Sequence, residues 1–337
     1  MSQSLAEARV APSDAPTGAA NGPHVTFEAE VIAAFGRHLL VRDAQGVEHE
    51  ARPFGRRVQA VCGDRVTCER DAAHDEVHVV AILPRRSVLE RSTLRGGAEA
   101  VVANLTQLVV VMAPEPLPDL FVVDRYVAAA ASLGLDALIV LNKSDLLDDA
   151  STEAIEFCLG AYRAAGYRCL VCSAHDRVAL EVLRSELADH VSVMVGQSGV
   201  GKSSLIGALV PNLEISTGEL DRDAEGRHTT TSSRRYDLPS GGAIIDSPGV
   251  RDFAPSIDAL EPSSLGFVEV DRLSTQCRFA DCKHLREPGC AVRDAAERDT
   301  FDARRYESYR RLRRLYEDLH TARGPSTRAG GPRRPIR

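Results

Sequence analysis

Three short strings constrain this chain of 337 residues more than anything else in it. Each closes an apolar run. Asn142-Lys-Ser-Asp145 follows Ala137-Leu-Ile-Val-Leu141, Gly196-Gln-Ser-Gly-Val-Gly-Lys-Ser203 follows His190-Val-Ser-Val-Met-Val195, and Asp246-Ser-Pro-Gly249 follows Gly242-Ala-Ile-Ile245. Continuous apolar runs of this kind are the pattern of strands buried on both faces. With Gln107-Leu-Val-Val-Val-Met112, and with helices predicted over 119–133 and 151–165, they predict an α/β unit on a mostly parallel sheet over 100–262.

The rest of the chain is organised differently. Over 25–84, short β-prone runs such as Val25-Thr-Phe-Glu-Ala-Glu-Val31 and Val77-His-Val-Val-Ala-Ile82 are broken by turn residues at Gly36, Gly46 and Gly63. About five strands in this length predict a small all-β barrel of the OB type. Arg85, Arg86, Arg91 and Arg95 mark a basic connector over 85–99. From 263 the strands stop, and a cysteine cluster leads into one helix predicted over 294–322. The ends, 1–24 and 323–337, read as a disordered tail and a disordered basic tail.

Charge and length exclude some classes. No apolar run approaches the ~18 residues of a membrane span, and the first residues lack the apolar core of an export signal. The expectation is a cytoplasmic monomer with no membrane partner, whose eight cysteines sit in a reducing compartment. Net charge is −7, but residues 301–337 carry eleven Arg against four acidic groups, leaving the remainder strongly acidic. A basic end on an acidic body predicts one anion-seeking surface.

The strings carry recognisable chemistry. Gly196, Gln197, Ser198, Gly199, Val200, Gly201, Lys202 and Ser203 fill the pattern G-x-x-x-x-G-K-[ST] between a strand and a helix that continues through Ser204. Such a loop wraps backbone N–H groups around a β-phosphate, with the lysine reaching the β- and γ-phosphates and the serine on magnesium. Asp246 would hold Mg2+, and the Gly249 N–H would sense a γ-phosphate. The Asp145 carboxylate suits the N1–H and exocyclic amine of guanine. Adenine would leave it facing an acceptor, at a cost of ~1–3 kcal/mol or more. Asn142 would brace the loops, Lys143 would lie along the base, and Ser144 completes the string. Cys172-Ser-Ala174 has the form of a backbone loop that contacts guanine O6, through Ser173 and Ala174.

Two further stretches belong to this site. Gly226-Arg-His-Thr-Thr-Thr231 would be a first switch. One of Thr229, Thr230 and Thr231 would close on magnesium, Thr230 being the working assignment. Val250 stands where many GTPases carry a water-orienting Gln. Valine cannot do this, so His228 is the nearest candidate catalytic group.

Cys277, Cys282, His284 and Cys290 form C-x4-C-x-H-x5-C. Three thiolates and an imidazole suit one tetrahedral, structural Zn2+. Cys62, Cys68, Cys158, Cys169 and Cys172 read as small core residues.

The order base reader, phosphate loop, first switch, Asp-Ser-Pro-Gly resembles the circularly permuted GTPases. The Gly-Arg-His-Thr-Thr segment, the preceding barrel and the following cysteine cluster resemble the RsgA (YjeQ-type) family over about 25–322. The resemblance implies an α/β permuted P-loop GTPase domain, an N-terminal all-β OB-fold barrel and a C-terminal mostly helical zinc-binding module. It also implies GTP and GDP as ligands, the small ribosomal subunit and its rRNA as partners, and GTP hydrolysis stimulated by that particle in late subunit maturation. The alternative is a non-catalytic GTP-gated RNA- or ribosome-binding module. One departure stands out: 25–84 holds seven Arg and ten acidic residues, a poor generic phosphate binder. RNA contact would then fall to local loops, such as that of Arg56 and Arg57, or to the basic helix. A final expectation is that GTP state sets the angle of the zinc module, which follows Asp246-Ser-Pro-Gly249 closely in the chain.

Overall fold

The computed structural model describes residues 25–55, 57–71, 74–92, 98–210, 232–251 and 255–322. Residues 1–24, Arg56, Arg95, the whole of 226–231 and 323–337 lie outside these.

Five strands open the chain: β1 (Val25–Phe35), β2 (His38–Asp43), β3 (Glu48–Pro53), β4 (Arg65–Asp71) and β5 (Glu76–Ile82). They pair in the order β1-β2-β3-β5-β4 and close through β1–β4, with β3 and β5 parallel. Alternate residues point inward, so Val31, Leu39, Val41, Val66, Cys68, Val77 and Val79 form one buried core. This is the closed, OB-like barrel the alternation predicts. The connector then folds into a hairpin, β6 (Val88–Ser92) and β7 (Ala98–Ala103).

The α/β unit follows. Its elements are β8 (Gln107–Met112), α1 (Leu120–Ser132), β9 (Asp136–Leu141), α2 (Asp149–Ala165), β10 (Arg168–Val171), α3 (Arg177–Leu187), β11 (Val191–Val195), α4 (Lys202–Leu209), β12 (Ser232–Asp237), β13 (Ala243–Asp246) and the single turn α5 (Pro248–Arg251). The sheet order is β10-β9-β8-β11-β13-β12, parallel except for β12. Every residue of β8 is buried. Leu108, Val110 and Met112 pack under α1 and α2, while Val109 and Val111 pack under α3 and α4. Asp119, Asp148 and Asp176 cap the N-termini of α1, α2 and α3 with their carboxylates.

Strand β1 belongs to two units. Its last residues pair with β12, Ala33 opposite Arg234, Ala34 opposite Ser233 and Phe35 opposite Ser232. Barrel and α/β sheet therefore form one continuous eleven-stranded sheet. Glu30–Arg235 and Arg42–Asp237 ion pairs cross the same seam.

The C-terminal module holds α6 (Val268–Ser274), α7 (Ala291–Glu297) and α8 (Ala303–Ala322). The single helix expected over 294–322 is thus two helices. Asp299 takes φ 56°, Phe301 turns inward to 2% exposure, and the Asp302 carboxylate accepts the Arg305 amide to start α8. Burying Phe301 outweighs continuing the helix. Arg305, 1% exposed, ties this module to α1. It donates to both Glu269 oxygens (2.5 and 2.8 Å) and to Asp124 (2.7 Å), among the rings of Tyr162, Tyr167 and Phe267. Arg304 adds a second bond to Asp124 at 2.7 Å.

Removing this guanidinium leaves the buried Glu269 carboxylate without its ion pair and Asp124 with Arg304 alone. Arg305→Ala is expected to destabilise the C-terminal module by about 3–5 kcal/mol, read from denaturant unfolding. A midpoint within error of the parent would contradict this role.

Candidate nucleotide and metal sites

The parallel register places the strings together. Leu141 lies opposite Met112 and Val171, and β11 pairs with β8 on one side and β13 on the other. Residues 142–145, 172–174, 196–203 and 246–249 therefore all leave the same, C-terminal edge of the sheet.

The phosphate-loop pattern folds as its glycines require. Gly196 has φ 143°, and a Cβ there would lie 2.1 Å from the Val111 carbonyl oxygen. Gly201 has φ 88°, and a Cβ there would lie 2.3 Å from Asn142 Nδ2 and 3.8 Å from Lys143 Cε. Only glycine lets the loop curl this tightly. Gly201 immediately precedes α4, so the backbone N–H groups of Lys202, Ser203 and Ser204 form the open end of that helix. Lys202 is 8% exposed, and its Nζ donates to the Gly196 and Gln197 carbonyls at 2.8 Å each, reaching back across the loop. Gln197 accepts the Asp119 amide at 3.0 Å, binding the loop to the start of α1. Ser198 and Gly199 are exposed, while Val200 is buried.

The Asn142–Asp145 string meets this loop directly. Asn142, 1% exposed, donates from Nδ2 to the Val200 carbonyl at 2.9 Å, and its Oδ1 is buried with no partner among the described residues. Lys143 adopts φ 59°, and its Nζ donates to the Glu115 carbonyl at 2.9 Å. The Ser144 amide donates to the Cys172 carbonyl at 3.1 Å. Asp145 is exposed, and Ser173 Oγ donates to its Oδ1 at 2.5 Å. The Ser173 hydroxyl and the Asp145 amide hold the carboxyl below its usual range. It is therefore an ionised acceptor at neutral pH, the state that guanine N–H donors need. Ala174 follows on the same loop, half-buried.

Asp246 ends β13, and both it and Ser203 are half-buried. A hydroxyl and a carboxylate oxygen are the donors Mg2+ prefers, and these two residues could hold it. Gly249 lies in the single turn α5. Val250 is fully buried in the hydrophobic core shared with α1, so the side chain after Gly249 offers packing and no hydrogen bond. The candidates His228, Thr229, Thr230 and Thr231 lie outside the described residues.

The ligand atoms of Cys277, Cys282, His284 and Cys290 all lie within 4.8 Å of one another. Cys277 Sγ and Cys290 Sγ stand 3.4 and 3.5 Å from His284 Nδ1. Tetrahedral zinc with its usual bond lengths sets such ligand atoms roughly 3.5–3.8 Å apart, so the set fits the ion. Burial pushes the Cys282 thiol up to about 12 and raises Cys290 as well. A bound cation would reverse both shifts, since coordinating thiols deprotonate. The loop is preformed: Glu287 accepts the amides of Lys283, Leu285 and Arg286. Partial burial would raise the Glu287 carboxyl, yet its own amide and these three hold it at about 2. Tyr306 fixes the His284 carbonyl at 2.8 Å. Of the remaining cysteines, Cys62, Cys68 and Cys172 are buried, and Cys158 and Cys169 are half-buried.

A phosphate loop, an acidic turn and a base-reading string on one sheet edge, with the base reader first in the chain, define a circularly permuted P-loop nucleotide-binding protein. The family model described as RsgA GTPase matches residues 82–255. A relative from Pseudomonas aeruginosa (strain LESB58), named small ribosomal subunit biogenesis GTPase RsgA, is 42% identical over 293 residues, covering 86% of this chain and 85% of its own. One of the same name from Pectobacterium carotovorum subsp. carotovorum (strain PC1) is 39% identical over 88% of this chain and 87% of its own. Among solved structures, YjeQ from Thermotoga maritima superposes with a TM-score of 0.71 at 26% identity, covering 88% of this chain and 99% of that one. YloQ, described as a circularly permuted GTPase, gives 0.67 at 23% identity, covering 88% and 96%. The chain belongs to the RsgA GTPase family.

Two outcomes follow from this geometry. Asp145→Asn is expected to move nucleotide preference from guanosine toward xanthosine diphosphate in a competition assay, and unchanged preference would remove Asp145 from the base site. Chelation is expected to release one zinc equivalent and loosen 277–290 in hydrogen exchange while guanosine diphosphate still binds; full protection without metal would contradict a metal-held loop.

Proposed function

We propose that this protein binds GTP with Mg2+ and hydrolyses it to GDP and phosphate during late maturation of the small ribosomal subunit, as a cytoplasmic monomer that contacts rRNA. The division proposed is 25–84 barrel, 85–99 connector, 100–262 permuted GTPase domain and 263–322 zinc module. The observation that carries the reading is the Asn142–Val200 hydrogen bond, which sets the base reader against the phosphate loop. The names of the relatives supply the particle.

In this reading each residue has a task. Asp145, held by Ser173, accepts the guanine N–H donors. The amides of 197–203 and the Lys202 ammonium neutralise the phosphates. Ser203 and Asp246 hold Mg2+, which supplies charge stabilisation to the phosphoryl oxygens. Gly249 senses the γ-phosphate, and Thr230 closes the site from the first switch. His228 orients the attacking water in place of the missing polar group at Val250. Cys277, Cys282, His284 and Cys290 hold one zinc ion, whose four protein ligands leave no open position and assign it a structural role. No helix among the described residues is long and apolar enough to cross a membrane.

The acidic barrel also has a place for RNA. Arg42, Arg65 and Arg70 are neutralised by ion pairs, while Arg37, Arg52 and Arg57 make none among the described residues. Arg37 and Arg52 converge with His38, His78 and Phe54 on one cleft. Phe54 is 65% exposed and makes a T-shaped contact with His78, so most of its ring surface is available to stack a base. The buried Val250 favours slow unaided hydrolysis, the feature shared with the GTP-gated alternative.

Turnover with and without purified small subunits tests the reading. A rise of at least roughly tenfold is expected, and His228→Ala is expected to cut the stimulated rate about a hundredfold with GDP affinity unchanged. A rate indifferent to small subunits would overturn the proposed function. An unaffected His228→Ala rate would discard that residue alone.

A further inference from the structure

Two modules flank the GTPase domain, and they meet different parts of it. The metal module is held on α1 through the buried Asp124–Arg305–Glu269 cluster. The barrel and its hairpin instead reach Asp246-Ser-Pro-Gly249. Strand β12, which follows 226–231 in the chain, lies between β13 and β1, with Arg234 opposite both Asp246 and Ala33. Ser233 Oγ donates to Ser247 Oγ at 2.7 Å, and Ser247 is 2% exposed. Val101 of β7 packs on Gly249, where a Cβ would lie 2.8 Å from its Cγ1. Ser233, Ser247, Gly249 and barrel residue Ala34 border one cleft of about 1380 Å³.

We propose that the barrel is the module coupled to the γ-phosphate sensor, and that Ser233 is the positioning residue that makes the coupling. This rests on the reading of Gly249 given above. The physical reasoning is one of registers. Ladder pairing prevents β12 from sliding on β1 or on β13 without breaking hydrogen bonds. Movement of Ser247 as Gly249 closes on phosphate therefore loads Ser233, and through the Ala34–Ser233 pair loads the barrel strand. In the other direction, a partner that grips the barrel fixes β12 and, through Ser233, the sensor turn. Both ends of the coupling bias one element, which is the requirement for an allosteric link.

The test is hydrogen exchange on the full-length free protein, with GDP and with a non-hydrolysable GTP analogue plus Mg2+. Amides of 33–35 and 232–235 are expected to exchange roughly threefold or more slowly with the analogue. Ser233→Ala is expected to abolish that difference and Ser233→Thr, which keeps the hydroxyl, to restore it. GDP affinity stays within about twofold in both variants. Equal exchange with the two nucleotides in the parent, or a difference that survives Ser233→Ala, would overturn the proposal. Loss of GDP binding in Ser233→Ala would overturn it too, by placing Ser233 in the nucleotide pocket. Because no ribosomal particle is present, absence of subunit-stimulated turnover would sink the proposed function without touching this result.

Discussion

One buried hydrogen bond, from the Asn142 side-chain amide to the Val200 carbonyl, joins segments 58 residues apart in the chain. Both partners are buried, so breaking it leaves polar groups unsatisfied at a cost of ~1–3 kcal/mol. Gly201 makes the contact possible, because any side chain there would collide with the same amide. The rest of the site is arranged around this junction. Lys143 lies against Gly201, Ser173 holds Asp145, and Gln197 secures the loop to α1. Permutation moves the base reader ahead of the phosphate loop in the chain and leaves it beside that loop in space.

The two outer modules illustrate two ways of attaching a domain. The metal module is pinned by a buried guanidinium between two carboxylates and three rings. Such a cluster has one satisfactory arrangement, since any displacement exposes a charge to an apolar core without its partner. The barrel is attached by strand pairing and by ion pairs nearer the surface, Glu30–Arg235 and Arg42–Asp237. These pairs are only partly buried and individually contribute less than the buried cluster, so the barrel's attachment rests mainly on the strand ladder. The zinc module, whose angle the sequence ties to nucleotide state, is thus pinned on α1, which also donates from Arg125 to the Pro255 carbonyl just beyond the Asp246–Gly249 turn.

Much of this was legible in the residues, for identifiable reasons. Strands β8, β9 and β11 are buried on both faces, and such strands leave unbroken apolar runs. The barrel strands bury one face and leave an alternation. The four thiolate and imidazole ligands sit within fourteen residues, so proximity in sequence is proximity in space. What escaped depends on distance along the chain. Asp124, Glu269 and Arg305 look like ordinary surface charges until three helices bring them together. The β1–β12 pairing joins residues about two hundred positions apart, and nothing local in Ala33-Ala-Phe35 announces a second partner. Ser173 reads in sequence as part of a backbone loop, yet its hydroxyl holds the Asp145 carboxylate, a contact visible only once 145 and 173 are neighbours. The helix break before Ala303 depends on the burial of Phe301 and the left-handed Asp299, neither of which shows in the local sequence.

The most direct measurement is a crystal structure of the protein with GDP and Mg2+. The account predicts one nucleotide with guanine N1 and its exocyclic amine about 3 Å from the Asp145 carboxylate, and the β-phosphate about 3 Å from Lys202 Nζ. A nucleotide that contacts Lys202 while its base lies away from Asp145 would contradict the claim that the early and late strings form one pocket.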